Sequence, residues 1–315
     1  MQTKAEWSVN PFAPLRIGMV GLGSIAQKAY LPILSQDARW QLIGAFSPGR
    51  EKAQRICQQY RLHHFSDMKA LAAQCDAVFV HSSTASHFSV VSALLQAGVH
   101  VYVDKPLAET VEQADALIAL AERQQKILMV GFNRRFSPLY QRLKCQAGSP
   151  VSLRMDKHRI DNIGPQEMRF TLLDDYLHVV DTALWLAGSG ARLSGGVLQC
   201  NSEGQLLYAE HHFQTSHCQI TTSMHRRAGS QREWVQAVTD GGLYQVGDMR
   251  EWQQEQQGVI TRYPMSSWQT TLEQRGFVGA VSHFIDAIEQ QKPAETSGKQ
   301  ALRAQLMIEE LLGKS

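Results

Sequence analysis

No run in this sequence approaches the roughly 18 consecutive apolar residues that a membrane-spanning helix needs, so no membrane partner is expected. Neither sign of charge is in excess. Lys and Arg number 31 against 29 Asp and Glu, a formal balance of +2. That balance provides no electrostatic footprint for nucleic acid or for an anionic lipid surface. Cysteine is sparse and scattered, at positions 57, 75, 145, 200 and 218, with no C-x-x-C pair and an odd count. Reduced thiols in a cytoplasmic protein are the reading this supports. Internal repeats are absent. Residues 1–13 lack the apolar core of a signal peptide and read as a loose arm.

The chain itself is long enough for two domains: 315 residues, 43% hydrophobic and 19% charged, an ordinary soluble composition. Over residues 14–134, short apolar runs alternate with helical patterns. Strands are expected at Leu15–Val20, Gln41–Phe46, His64–Phe65, Ala77–His81, His100–Asp104 and Ile127–Gly131. Helices fall between them, and the alternation predicts a doubly wound parallel sheet of the Rossmann type. Over residues 135–315 the texture changes. A strand at Ser152–Lys157 and a helix at Asp174–Ala187 precede a group of strand-like runs. Helical patterns then return at Phe277–Gln290 and Lys299–Leu312. This predicts an α+β domain with an open, mainly antiparallel sheet. The Gln-rich stretch from Gln253 to Gln257 reads as a loop.

The first strand runs into Gly21-Leu22-Gly23-Ser24-Ile25-Ala26. This is G-x-G-x-x-A, the pattern of a turn that lets a pyrophosphate approach backbone and helix N-terminus. Gly21, Gly23, Ser24 and Ile25 are therefore candidate cofactor contacts. NAD-preferring sites usually carry Asp or Glu at the end of the second strand. Here that position is Ser47, followed by Pro48, Gly49 and Arg50. Arg50 suits bidentate contact with a 2′-phosphate and Ser47 can donate to it, so NADP is predicted in preference to NAD.

Two further groups carry chemistry. Lys105, in Asp104-Lys105-Pro106, follows the fifth strand and should project into the crevice beside the glycine turn. Asp174, His178 and Asp181 stand at i, i+4 and i+7, hence on one face of an α-helix, with Asp175 on another. Asp174 would orient His178, and a histidine near its ordinary pKa of about 6.5 suits proton transfer. Taken alone, these residues read more readily as helix-end capping by Asp174 and Asp175 with a core histidine. His211 and His212 point to opposite faces of a strand and cannot easily share an ion, so no metal site is predicted. Arg226, Arg227 and Arg232 could hold an anionic substrate group or a partner subunit, or merely be solvated.

The glycine turn, Asp104-Lys105-Pro106, Gly131-Phe132-Asn133-Arg134-Arg135-Phe136 and Asp174-x-x-x-His178-x-x-Asp181 occur in this order along nearly the whole chain. Together they resemble the Gfo/Idh/MocA oxidoreductases. The resemblance implies hydride transfer between a nicotinamide and a small sugar, polyol or related compound. It makes Lys105 the lysine that contacts nicotinamide and substrate, often before a cis proline. It makes His178 the acid or base and Asp174 its carboxylate partner. Ser82, Ser83 and His87 match the loop passing the nicotinamide ribose, and Pro106 and Arg134 join the cofactor set. His158 matches a substrate-facing position. Tyr176 replaces a glycine and is expected to face the substrate space. There it would narrow the site, add a proton donor, or leave a dinucleotide-binding sensor without turnover. Hydrolysis or epimerisation with transiently used cofactor is a further family activity. The resemblance also implies a homodimer or homotetramer assembled through the second sheet.

Overall fold

The computed structural model describes residues 14–36, 39–264 and 266–313. The expectation for residues 1–13 lies outside them. The N-terminal sheet has six parallel strands in the order β3-β2-β1-β4-β5-β6. These are β1 (Leu15–Val20), β2 (Trp40–Phe46), β3 (His63–His64), β4 (Ala77–Val80), β5 (His100–Val103) and β6 (Leu128–Val130). The central strand β4, Ala77-Val78-Phe79-Val80, is buried along its whole length. A strand covered on both faces is apolar throughout rather than alternating. Helix starts fall where capping chemistry allows. The Asp67 side chain accepts the Ala70 N–H at 2.8 Å, and Thr110 caps the helix Val111–Arg123.

The C-terminal sheet has eight strands in the order β14-β13-β12-β11-β7-β10-β9-β8. In chain order they are β7 (Ser152–His158), β8 (Arg192–Cys200), β9 (Leu206–Gln214), β10 (Gln219–His225), β11 (Arg232–Thr239), β12 (Gly242–Gly247), β13 (Glu251–Gln256) and β14 (Val259–Pro264). Only β7 and β10 pair in parallel, so the sheet is mainly antiparallel as expected. The Gln-rich stretch is not a loop but β13. Trp252 is its one buried side chain, and the Arg142 guanidinium lies 4.3 Å from that ring centre. Backbone pairing to β12 and β14 holds a strand whose polar sequence shows almost no apolar alternation.

The chain then returns to the first sheet. Phe284 and Ile285, on the helix Phe277–Glu289, join one core cluster with Ile17, Met19, Phe79 and Tyr102. The Val130 N–H donates to the Thr296 carbonyl at 2.8 Å, which covers the open edge of β6. The last helix, Gly298–Gly313, packs on Val111–Arg123 and on Leu177–Ala187. No helix among the described residues is long and apolar enough to cross a membrane.

Candidate active site

The glycine turn follows β1 directly. Gly21 has φ +89°, and a Cβ there would lie 2.5 Å from the Ser82 nitrogen. Only glycine fits, because the β1 and β4 loop backbones nearly touch at this point. Ser24 and Ile25 stand exposed at the start of the helix that follows, and Gly23 is half-buried. This helix is not regular: Ala26–Tyr30 forms a π-turn before Leu31–Leu34. At the end of β2, Ser47 is half-buried, and Arg50 is exposed as the first residue of Arg50–Tyr60. No acid stands between Phe46 and Glu51.

The Lys105–Pro106 peptide is cis, and the Lys105 N–H donates to Asp104 Oδ1 at 2.8 Å. Lys105 Nζ then donates to both the Asp174 carbonyl and Asp174 Oδ1, each at 2.6 Å. The strand end and the second domain are thus joined through the lysine ammonium. A cleft of about 250 Å3 opens beside this contact, lined by Ser83, Pro106, Phe170, Leu173 and Asp174 among others. Ser82 lies just behind, its hydroxyl accepting from Ser86 Oγ at 2.7 Å.

Around His178 the sequence reading needs correction. Leu172–Tyr176 is a π-turn leading into the α-helix Leu177–Ala187. The extra residue of a π-turn rotates what precedes it relative to α-helical spacing. The i, i+4 partnership of Asp174 and His178 is therefore not made. Asp174 is exposed and holds Lys105 instead. His178 is buried, with the edge of Phe132 6.1 Å away between ring centres, and its Nδ1 has no hydrogen-bond partner. Burial pushes its pKa well below the ordinary value, and the charges of Arg134, Lys105 and Lys157 push the same way. It is not a histidine titrating near 6.5 but a neutral imidazole at pH 7. Asp181 is spent on Arg135, at 3.0 and 2.5 Å, deep in the interior.

Tyr176 does not face the substrate space. Its ring is fully buried against the C-terminal sheet. The hydroxyl is 2.7 Å from Thr222 Oγ1 and 3.0 Å from His211 Nδ1, and it donates to the Thr222 carbonyl at 3.1 Å. Burial lowers His211 to about 4, so the imidazole is neutral, and its Nδ1–H can donate to the phenol oxygen, whose own proton goes to the Thr222 carbonyl. Tyr176→Phe is expected to cost about 1–3 kcal/mol, by stranding buried polar groups, and to leave kcat within about twofold. Urea unfolding beside a turnover assay measures both. A collapse of kcat with stability unchanged would return Tyr176 to the site.

Two other expected contacts are differently employed. His87 is buried, with Nδ1 2.8 Å from the Pro106 carbonyl and Nε2 3.2 Å from that of Ser82. It braces two loops that border the cleft rather than offering a free nitrogen to a ligand. Arg134 is buried with its fork on Glu233, at 2.8 and 2.7 Å, and Tyr140 also donates to that carboxylate. His158 is half-buried, and its Nδ1 accepts the His225 N–H at 3.1 Å.

Sequence reasoning missed the hub. Asp175 is buried and accepts from Lys157, Arg159 and Arg226 together. Burial alone would raise its pKa, but these cations hold it far below the usual carboxylate range. Lys157, desolvated and near Arg134, is lowered to about 8. The only signal available was Asp175 beside Asp174, because its partners lie 18, 16 and 51 residues away.

Known proteins share this sequence pattern and this fold. A family model described as an oxidoreductase family with an NAD-binding Rossmann fold matches residues 15–132. Another, the YceM-like C-terminal domain, matches residues 138–257. The protein named YceM from Salmonella typhimurium is 63% identical over 298 residues, which is 94% of this chain and 97% of its own length. The solved structure of the dehydrogenase MviM from Clostridium difficile is 40% identical. It superposes with a TM-score of 0.94 over 96% of this chain and 99% of that one. UDP-N-acetylglucosamine 3-dehydrogenase from Acidithiobacillus ferrooxidans is 32% identical over 56% of this chain and 55% of its own.

Proposed function

Because this chain belongs to the Gfo/Idh/MocA oxidoreductases, we propose that it moves a hydride between a nicotinamide cofactor and the hydroxyl- or carbonyl-bearing carbon of a small sugar, polyol or related compound. The observation that carries the site assignment is the Lys105 ammonium, set at a strand end against the turn that leads into His178. The fit to a dinucleotide rests on the Gly21 turn, where any side chain would strike the neighbouring loop and only bare backbone remains. When bound, the nicotinamide supplies the hydride acceptor or donor. The chain's residues do the rest. An ammonium has three protons; two of those on Lys105 go to Asp174, and the third is free for a substrate oxygen. As a hydroxyl is oxidised its proton leaves, and a neutral, unpartnered His178 can take it. The positive Lys105 favours the oxyanion that develops. Run backwards, the same pair protonates a carbonyl oxygen. Asp174 acts through Lys105 and is a positioning residue. With Tyr176 in the core, the reading as a sensor without turnover loses the feature that favoured it.

The test is turnover by purified protein on panels of polyols and sugars with NADP+, and of keto compounds with NADPH. Lys105-dependent turnover supports the proposal, and its absence in both directions overturns it. For the cofactor, Ser47 and Arg50 support NADP. NADPH is expected to bind at least tenfold more tightly than NADH, about 1.4 kcal/mol, measured by fluorescence titration. Arg50→Ala should erase most of that ratio. Tighter binding of NADH would sink the assignment.

A further inference from the structure

At the ends of β7 and β11 lies a second, smaller cavity whose chemistry the hydride-transfer reading does not use. It offers about 50 Å3 to the centres of water-sized atoms, and its walls include Arg134, Lys157, Arg159, Arg232 and Arg275. One water needs roughly 10–15 Å3 by this measure, so the space suits about three to five heavy atoms, the size of a phosphate group.

The local charges do not cancel. Asp175 alone balances Lys157, Arg159 and Arg226, one carboxylate against three cations. Glu233 is matched one-to-one by Arg134. Asp248, also in the wall, keeps its charge and accepts the Glu233 N–H at 2.8 Å, so three carboxylates stand against six cations once Arg232 and Arg275 are counted. At the rim, Arg232 and Arg275 have no acidic partner among the described residues. Arg232 instead lies flat against Trp234, 4.4 Å from the ring centre. A stacked guanidinium keeps its N–H edges free for a ligand. The Arg275 backbone is fixed, because Asn133 Nδ2 donates to its carbonyl at 2.7 Å. The following Gly276 has φ +78° and admits no side chain. Buried cations thus form the wall, and two exposed arginines without acidic partners among the described residues form the mouth.

We infer that this pocket binds a phosphoryl-sized oxyanion carried by the substrate, so that the sugar- or polyol-like compound is a phosphate ester. The inference rests on the proposed oxidoreductase reading. Its wall residues Lys157 and Arg159 hold Asp175, and the adjacent Asp174 holds Lys105, so one turn connects the pocket to the reacting groups. An anion seated here would therefore lie beside the reacting carbon's neighbourhood. It would also satisfy the excess positive charge.

The experiment is calorimetric titration of inorganic phosphate into the full chain saturated with NADPH, with acetate as the planar comparison. Saturating NADPH keeps phosphate from the dinucleotide turn. One phosphate per chain is expected, at least tenfold tighter than acetate. Arg232→Gln and Arg275→Gln should each weaken phosphate at least tenfold while NADPH binding is unchanged. Both residues are exposed, so folding is not at stake. Arg123→Gln, on a distant helix, should have no effect. Absence of saturable phosphate binding overturns the inference. So does acetate binding as tightly, or equal weakening by Arg123→Gln. In each of these cases NADPH binding leaves the oxidoreductase reading intact. Failure of the wild type to bind NADPH would overturn that reading, and the inference with it.

Discussion

Lys105→Met is expected to lower kcat by about 100- to 1,000-fold, roughly 3–4 kcal/mol of transition-state stabilisation, with NADPH affinity little changed. The size follows from the lysine's setting. Its ammonium is held at 2.6 Å by both the carbonyl and the carboxylate of Asp174, and its side chain is largely shielded from water. A fixed charge in a shielded site stabilises a developing oxyanion far more than a mobile one in water. Methionine keeps most of the apolar stem and removes the ammonium, with its charge and its two hydrogen bonds to Asp174. Asp174→Asn is the informative companion. The carbonyl contact survives, so the ammonium is loosened rather than lost, and a decrease of about tenfold is expected. The two substitutions act through one group, so the double variant should be no worse than Lys105→Met alone. Additive losses would show that Asp174 acts independently. Single-turnover measurement of hydride transfer at saturating cofactor separates these outcomes from effects on binding.

Asp175→Asn is expected to destabilise the fold by about 3–5 kcal/mol at pH 7, because it leaves buried cations without their carboxylate. Lys157, Arg159 and Arg226 all converge on Asp175, from two strand ends and the turn beyond them. Lys157 provides a second readout. Burial and Arg134 already lower it to about 8, with Asp175 opposing that shift. Without Asp175 it should release its proton still more readily. A lysine that gives up its proton more easily folded than unfolded makes folding more favourable as pH rises. The variant's deficit should therefore shrink as pH rises towards about 8, where the wild-type lysine also gives up its proton, and level off above that, by urea unfolding at each pH. A deficit below about 1 kcal/mol, or one that grows with pH, would contradict this account.

The first domain was readable because burial on both faces writes itself as unbroken apolar runs. Leu15–Val20 falls where the pattern places it. The second sheet was readable only where one face is covered. β13 and β14 carry Gln, Glu, Arg and Thr because their order comes from backbone pairing at the sheet's far edge. Lys105 was legible from its place after β5, and His178 from its motif. The partnership between Asp174 and His178 was not, because a π-turn breaks the 3.6-residue phase on which that reading depended. Nothing local marks that turn. Tyr176 shows the same limit. As a substitution for glycine it looked like an obstruction, yet the rotated backbone buries it beneath the sheet.

The helix Phe277–Glu289 has a consequence for how this protein is made. Its Phe284 and Ile285 complete a core begun by Ile17 and Met19, at the opposite end of the chain. At roughly 5–20 residues per second a ribosome delivers the partners of that core tens of seconds apart, with the whole second sheet synthesised in between. The dinucleotide-binding half therefore emerges with one side of its sheet still uncovered, and domain-by-domain folding during translation is denied to it. A nascent chain stalled before residue 284 displays Phe79 and Tyr102 to whatever chaperone or protease meets it first.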